Sequence, residues 1–558
     1  MLGLPTEIIV NILSNLDLQG LVACKRTCRK LTGIYDDSSR LQYLAELEVA
    51  GMIDNPHCPM AIVDRLEKLR KKEDAWVALH PDFTAKIGIP KTPSSVYDVT
   101  PNVYLLGVAL PTDFPVTRGI QSMRLPSDLD DTATPFIELQ MVKQIVDFGT
   151  SIEEHDLLAV VTMSESADPN YVFLLEVALL RHSTASLHDE ADRPILPVWS
   201  VNDLASVSIE ICGENLAITV MSRADANAQA TLHIFNWKNG RRKGHRRIVN
   251  NLGLVFLRED LLLMPNISDP SFEGNEGCLE LQPIVNLALP AIAEDHVVIG
   301  IQCRCDPSPT GGGVYPKYAP SKRPFANDPM EAINDPYVMF VHRKRLIEQL
   351  PKDWQVNLRA SETETASAKS SEASQRAEEE ANWQPRQDGE ASDANQWEEE
   401  PRELNNNIAP TVPWSEWGSR HARWLDAHTF SSVYITSTAG QRFVSIDKNA
   451  SRDPSHIRVI DFNQYHVRQA STADVCPSED MLVAVKVHDD TEDEPVWARK
   501  EPFVDQEARS ELPFIEMSTK TTYNFNSVLL DEQRILGIRN VDGGQWTSTR
   551  EVELIHFG

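Results

Sequence analysis

The sequence predicts an α+β protein: a small N-terminal three-helix module, then a long, mainly-β, propeller-like body carrying an acidic insertion. Three observations lead there. Apolar residues recur at helical spacing through the first fifty positions. Farther on, one unit returns repeatedly, an acidic or amide residue followed by a short apolar strand, with no helices alternating between copies. The 35 prolines outnumber the 25 glycines, which suits loops and edge strands better than a helical solenoid. At roughly 150 residues per domain, 558 residues allow three or four domains, or one small module and one large one.

The first helix opens at Leu4-Pro5-Thr6-Glu7-Ile8, where Pro5 or Thr6 suits the first turn and Glu7 favours the positive helix end. At 100° per residue, Ile8, Ile9, Ile12, Leu13 and Leu16 share an arc of about 140°, and Val10 widens it to about 200°. Packing against one neighbour needs only about 100°. Asp17 caps a second helix, with Leu18, Leu21, Val22, Cys24 and Cys28 apolar and Lys25, Arg26, Arg29 and Lys30 outward. Asp37 or Ser38 starts a third, carrying Leu41, Leu44 and Leu47. A unit of about fifty residues is near the size limit for independent folding, so its spare apolar surface implies a partner.

Leu4-Pro5-x-Glu7-Ile8, Ile12-Leu13-x-x-Leu16, Leu21 and Cys24-x-x-x-Cys28-Arg29 follow in an order and spacing that resemble an F-box. The resemblance covers roughly Met1 to Arg40, with Leu31 where the family usually carries an aromatic. The continuation Leu41-Gln-Tyr-Leu-Ala-Glu-Leu and Gly51-Met52 resembles F-box proteins of basidiomycete fungi. In that family the motif is the adaptor-binding end of substrate receptors in Skp–cullin–F-box ubiquitin ligases. The resemblance therefore implies a Skp-family adaptor, through it a cullin scaffold, and a protein substrate held by the β body. It assigns adaptor contact to Leu4, Pro5, Ile8, Ile12, Leu13, Leu16 and Leu21. Burying four such side chains would contribute ~6–12 kcal/mol gross, from which ordering and lost rigid-body freedom take several.

From Pro59 to His80, Ile62, Leu66, Leu69, Trp76 and Leu79 recur at helical spacing and predict a linker helix, with Lys68, Arg70, Lys71, Lys72 and Glu73 mostly on its solvated side. The strand unit then recurs from Asp156, Asn215, Asp260, Asp295, Asp480 and Gln533, and a second strand follows several copies, as at Tyr171, Thr231 and Tyr337. The first three copies start 59 and 45 residues apart, a blade-sized period. A pair of β-sandwiches is the alternative, and no Trp-Asp dipeptide closes any unit. Between Ser361 and Asn407 stand 13 acidic and 4 basic residues, with almost no large apolar ones. Such a tract is expected to be disordered. The domains are thus 1–50, a linker helix at 51–80, a body at 81–360 and 408–558, and the insertion at 361–407.

Other chemistry finds little support. A net charge of −29 argues against wrapping nucleic acid or an anionic membrane, and no apolar run reaches the ~18 residues of a membrane span. Eight scattered cysteines read as reduced thiols, which with the absence of a leader pattern predicts a cytoplasmic or nuclear protein. Asp128-Leu-Asp130-Asp131-Thr132 fits a phosphoryl-transfer pattern, but Leu125-Pro126-Ser127 before it reads as a turn rather than a buried strand. Gly311-Gly-Gly lacks the Gly-Lys of a phosphate loop. The basic run Gly240–Arg247 suits an exposed turn or a localisation signal, and Trp414, Trp417 and Trp424 suit a core or a binding surface. No cofactor, metal or catalytic residue is expected. The competing class is a non-catalytic propeller scaffold whose helical cap meets no adaptor.

Overall fold

The structure, a computed structural model, describes residues 3–55, 58–110, 116–128, 136–222, 230–244, 246–249, 252–267, 277–282, 285–288, 296–304, 313–320, 335–351, 411–426, 436–446, 454–472, 481–488, 510–540 and 550–558. The acidic tract expected at 361–407 lies outside them, as does most of the Asp128–Thr132 stretch.

Helix α1 (Thr6–Leu13) starts after Pro5, whose missing N–H costs nothing at a helix start. Helix α2 (Leu18–Lys25) starts at Asp17, whose carboxylate accepts from the Gly20 N–H at 2.8 Å. The helix does not run on through Cys28 as expected. Thr27 Oγ1 donates to the Cys24 carbonyl, Cys28 is extended (φ −159°, ψ 155°), and a separate α3 (Arg29–Asp37) follows. Hydroxyl-to-carbonyl bonds of this kind offer the backbone an alternative to the helix ladder. Ser38 then caps α4 (Ser39–Ala50), and Gly51 closes it at φ 68°, so the module has four helices where three were expected. Leu31 is buried in its core and keeps the apolar role of the aromatic it stands in for.

Helix α5 (Ile62–Ala78) packs Leu66 and Leu69 against Tyr43 and Leu47 of α4. It ends on Leu79 at φ 47°, a left-handed conformation costing a leucine ~1–2 kcal/mol. Burial of the same side chain in the β body is of the right size to offset that. Trp76 enters the body too, stacked on Phe557 at 4.1 Å with its Nε1 donating to the Glu532 carbonyl. This helix is therefore a wedge rather than a spacer. Lys72 and Glu73 also correct the sequence reading: they turn inward, Glu73 to meet Arg442 of the body and Lys72 to lie against Glu73 and Met52.

The body is a ring of seven sheets among the described residues, antiparallel but for one short parallel pair. Strand β1 (Phe83–Gly88) is set aside for the last of them. Blade 1 holds β2 (Pro93–Thr100), β3 (Val103–Ala109), β4 (Thr117–Arg124) and β5 (Ile137–Gln140). Blade 2 holds β6 (Gln144–Ser151), a helical turn α6 (Ile152–His155), β7 (Leu157–Glu165), β8 (Phe173–Arg181) and β9 (Ile195–Val201). Blade 3 holds β10 (Ala205–Cys212), β11 (Asn215–Ser222), β12 (Ala230–Asn236), β13 (Arg241–Arg242) and β14 (Arg247–Val249). Blade 4 holds β15 (Val255–Arg258), β16 (Leu261–Ile267), β17 (Gly277–Gln282) and β18 (Val285–Ala288).

Blade 5 begins with β19 (His296–Arg304), β20 (Gly313–Pro320) and β21 (Asp335–Val341), followed by α7 (Arg343–Glu348). The chain returns as β22 (Thr411–Val412), which pairs in parallel with β18 of blade 4, then as α8 (Trp414–Trp417). Strand β23 (Ala422–Asp426) completes blade 5 by pairing with β21, Val341 opposite Ala422. The acidic insertion therefore falls inside one blade. Blade 6 holds β24 (Thr438–Ala439), β25 (Arg442–Ile446), β26 (Ser455–Asp461), α9 (Gln464–Thr472), β27 (Met481–His488) and β28 (Phe514–Tyr523). Blade 7 holds β29 (Ser527–Leu530), β30 (Arg534–Asn540) and β31 (Arg550–His556). Its fourth strand is β1, paired with β31 from Phe83–His556 to Gly88–Glu551, so the first strand of the body closes the ring.

Apolar clusters fill the seams between blades 1 and 2, 2 and 3, 3 and 4, 5 and 6, 6 and 7, and 7 and 1. Strands β16 and β19 lie side by side at the remaining seam. This packing of sheet on sheet, closed on itself, is a propeller-like architecture rather than two sandwiches. Trp414, Trp417 and Trp424 belong to its core; of the basic run, Arg241, Lys243 and Arg247 are exposed in and around β13 and β14, and Arg242 and Arg246 are half-buried.

Two seams yield tests. A Cβ at Gly537 would lie 2.2 Å from the buried Phe525 ring, so Gly537→Ala is expected to lower stability by about 1–3 kcal/mol in denaturant melts. At the ring closure, His556 stacks on Phe83 at 4.7 Å. Burial, helped by Arg534, pushes its imidazole down to about 4, against 6.5 when unfolded. Between those values the unfolded chain takes up a proton that the folded chain refuses. Stability is therefore lost as pH falls from about 6.5 to 4. Burial pushes the Asp147 carboxyl up to about 7, which acts in the opposite sense, so the comparison must be made between variants. The drop in Tm from pH 7 to pH 5 is expected to be smaller in His556→Gln than in the parent; an equal or larger drop would count against this role.

Candidate functional site

One half of the apolar arc of α1 faces inward. Ile9 and Leu13 pack with Leu18, Leu21, Leu31, Ile34, Leu41 and Ala45. The other half is left outside: Leu4, Ile8, Ile12 and Leu16 keep 41, 45, 42 and 38% of their surface exposed, and Pro5 is exposed beside them. The division follows from helix geometry. Ile8 and Ile12 share one line along the helix, Ile9 and Leu13 the next, and only one line meets α2, α3 and α4. Of the seven residues singled out in the sequence, five form an exposed row and two, Leu13 and Leu21, hold the module together. Val22, also 42% exposed, is an apolar side chain of α2 that was not on that list.

The module is fixed to the ring. Glu48 of α4 accepts from the Leu18 N–H at 2.6 Å with one oxygen, and the other lies 3.4 Å from the Tyr465 hydroxyl. Asn463 Nδ2 donates to the Val49 carbonyl at 2.7 Å, and Tyr465 packs on the module core. Beneath α5, Glu73 pairs with Arg442, whose Nε lies 3.8 Å from Asp461; Asp461 in turn holds His466 at 2.8 Å. Arg442 also sits over the Trp76 ring at 5.2 Å. Burial alone would raise the Glu73 carboxyl, but Arg442 and Lys72 hold it below its ordinary value. Burial would likewise raise Asp461, but the His466 hydrogen bond and Arg442 keep it low. Both acids therefore stay ionised at neutral pH, and the joint is a charged, hydrogen-bonded one. Nothing in the local sequence around Glu73 signals this, since its partner Arg442 lies 369 residues away.

Among the described residues, no group of three or more His, Cys, Asp or Glu is placed to hold a metal ion, and no helix is long and apolar enough to cross a membrane. Cys24, Cys28, Cys58 and Cys212 are free thiols.

Residues 1–41 match the family model described as F-box-like. The helical module is an F-box-like domain. No curated protein matches the chain. Solved structures similar to it include an uncharacterised protein, lmo1340, from Listeria monocytogenes (10% identity, 46% of this chain and 66% of that one, TM-score 0.27). Two others are the β-propeller domain of the Trilobed protease from Pyrococcus furiosus (13%, 45% and 69%, 0.26) and the polysaccharide lyase Uly1 (6%, 85% and 91%, 0.34). The chain thus spans just under two thirds of the Listeria protein. The exposed row Leu4, Pro5, Ile8, Ile12 and Leu16 lies within the F-box-like domain or directly after its first helix.

Proposed function

We propose that this chain is a substrate receptor of a Skp–cullin–F-box ubiquitin ligase, of the kind found in basidiomycete fungi. Its F-box-like domain binds a Skp-family adaptor, and through it a cullin; its propeller-like body binds a protein substrate. The observation that carries this reading is the exposed apolar row of α1 on a domain matched by the F-box-like model. The chain itself performs no catalysis: it holds a substrate near the ligase's catalytic subunits, and works in the cytoplasm or nucleus where those subunits act.

The energetics sharpen the proposal. Each of the four large row residues already has more than half its surface covered, so completing their burial contributes ~3–6 kcal/mol gross, half the figure for fully exposed side chains. Association costs at least several kcal/mol. The row is therefore necessary but insufficient, and the adaptor also gains from neighbours such as Val22 and from polar contacts at the rim. Co-expression with the adaptor tests this directly. Capture by the intact chain, lost on deleting residues 1–51, supports the proposal; absence of capture by the intact chain favours the scaffold reading instead.

A further inference from the structure

A cavity of about 200 Å³ lies where the F-box-like module, α5 and blades 6 and 7 meet, lined by residues from all of them. Two cations on its wall have donors to spare. Lys72 is buried, its ammonium 3.1 Å from the Met52 thioether, a weak acceptor, and 3.6 Å from Glu73. Glu73 is itself taken up by Arg442. Arg442 Nε is buried and forms no hydrogen bond, its nearest acid, Asp461, standing 3.8 Å away. Two acids of the same wall are already matched: Asp461 by His466 and the Asn463 N–H, each at 2.8 Å, and Asp531 by Arg534 at 2.9 Å. Buried ammonium and guanidinium groups ask for a good acceptor.

We infer that this cavity is a binding site for a small monocarboxylate, its carboxylate on Lys72 and Arg442 Nε and its apolar body against Met52, Ile53 and Leu530. Acids on the same wall disfavour a dianion, and the apolar part of the lining disfavours a bare inorganic ion. At ~30 Å³ per water-sized group the volume takes about six heavy atoms, the size of butyrate. Such a ligand bridges the adaptor-binding end and the ring, so its occupancy stiffens the joint between them.

The test is saturation-transfer NMR on the full chain with sodium butyrate as the probe, and with 1-butanol and inorganic phosphate as controls. Butyrate is expected to bind at least about tenfold more tightly than either control, and Lys72→Met to weaken it by at least about tenfold. Ile53→Trp, a change at a side chain 74% exposed on the rim, is expected to block the cavity with its charges intact. No transfer to butyrate in the parent, equal binding of butanol, or unchanged binding in Ile53→Trp overturns the inference. Should Lys72→Met fail to fold, the Ile53→Trp result decides. The adaptor takes no part in this experiment, so its outcome is independent of the ligase proposal.

Discussion

Ile8→Asp with Ile12→Asp is expected to abolish capture of the Skp-family adaptor while leaving the chain folded. Both side chains point away from the module core, so their replacement costs the fold little. Two carboxylates pressed into an apolar groove must be desolvated without partners, a penalty of several kcal/mol. Binding should weaken by at least ~100-fold, as read by pull-down or calorimetry. Leu13→Asp is the contrasting control. It puts a charge among Ile9, Leu18, Leu21 and Leu41, and should lose adaptor binding by unfolding the module, with helical circular dichroism falling as well. If the double substitution binds the adaptor like the parent, the exposed row is not the docking surface.

Arg534→Ala is expected to cost the ring about 3–5 kcal/mol, the largest single stability loss among these predictions. Arg534 is 1% exposed and joins the closing blade to the first one. Its guanidinium donates to Asp531 and to the Asn102 side chain, each at 2.9 Å, and its Nε donates to the Pro126 carbonyl at 2.9 Å. Truncation leaves Asp531 a buried acid without its cation, and two blade 1 acceptors without donors. Replacing both ends, Arg534→Met with Asp531→Leu, should recover part of the loss, because the unpaired charge goes too. Urea melts of the three variants measure this; a double variant no more stable than Arg534→Ala would show that the backbone ties, not the ion pair, dominate.

How far the sequence could be read follows from where each signal lives. The spare apolar surface of α1 was legible as an arc too wide for one neighbour. Which half would stay outside was not, because that depends on how α2, α3 and α4 arrange themselves. The strand unit at Asp156, Asn215, Asp260 and Gln533 marks second strands of blades, and the strands that follow from Tyr171, Thr231 and Val552 are third ones. These lie between neighbours on both sides and read as apolar runs. First strands such as Pro93–Thr100 and Gln144–Ser151 mix buried and part-exposed residues and carry no such run. The Asp295 unit opens a first strand and the Asp480 unit an outermost one, so the period is uneven. Ring closure by Phe83–Gly88 pairs the two ends of the body, a contact no local pattern reports. The same holds for Glu73, which reads as solvated until Arg442 arrives with Asp461 behind it.

The pairing of Val341 with Ala422 has a practical consequence. The chain leaves the blade and re-enters it at directly opposed ladder positions, with α7, the short β22 on blade 4 and α8 on the way, so the ladder itself does not depend on how much polypeptide travels between α7 and β22. Loop-closure entropy grows only as the logarithm of length, and deleting all of 361–407 from the stretch between α7 and β22 would change that cost by only about 1–1.5 kcal/mol. Blade 5 is therefore a natural port: an evolving gene, or an engineer, can lengthen, shorten or replace the cargo there with a folded reporter without reworking the ring that carries it.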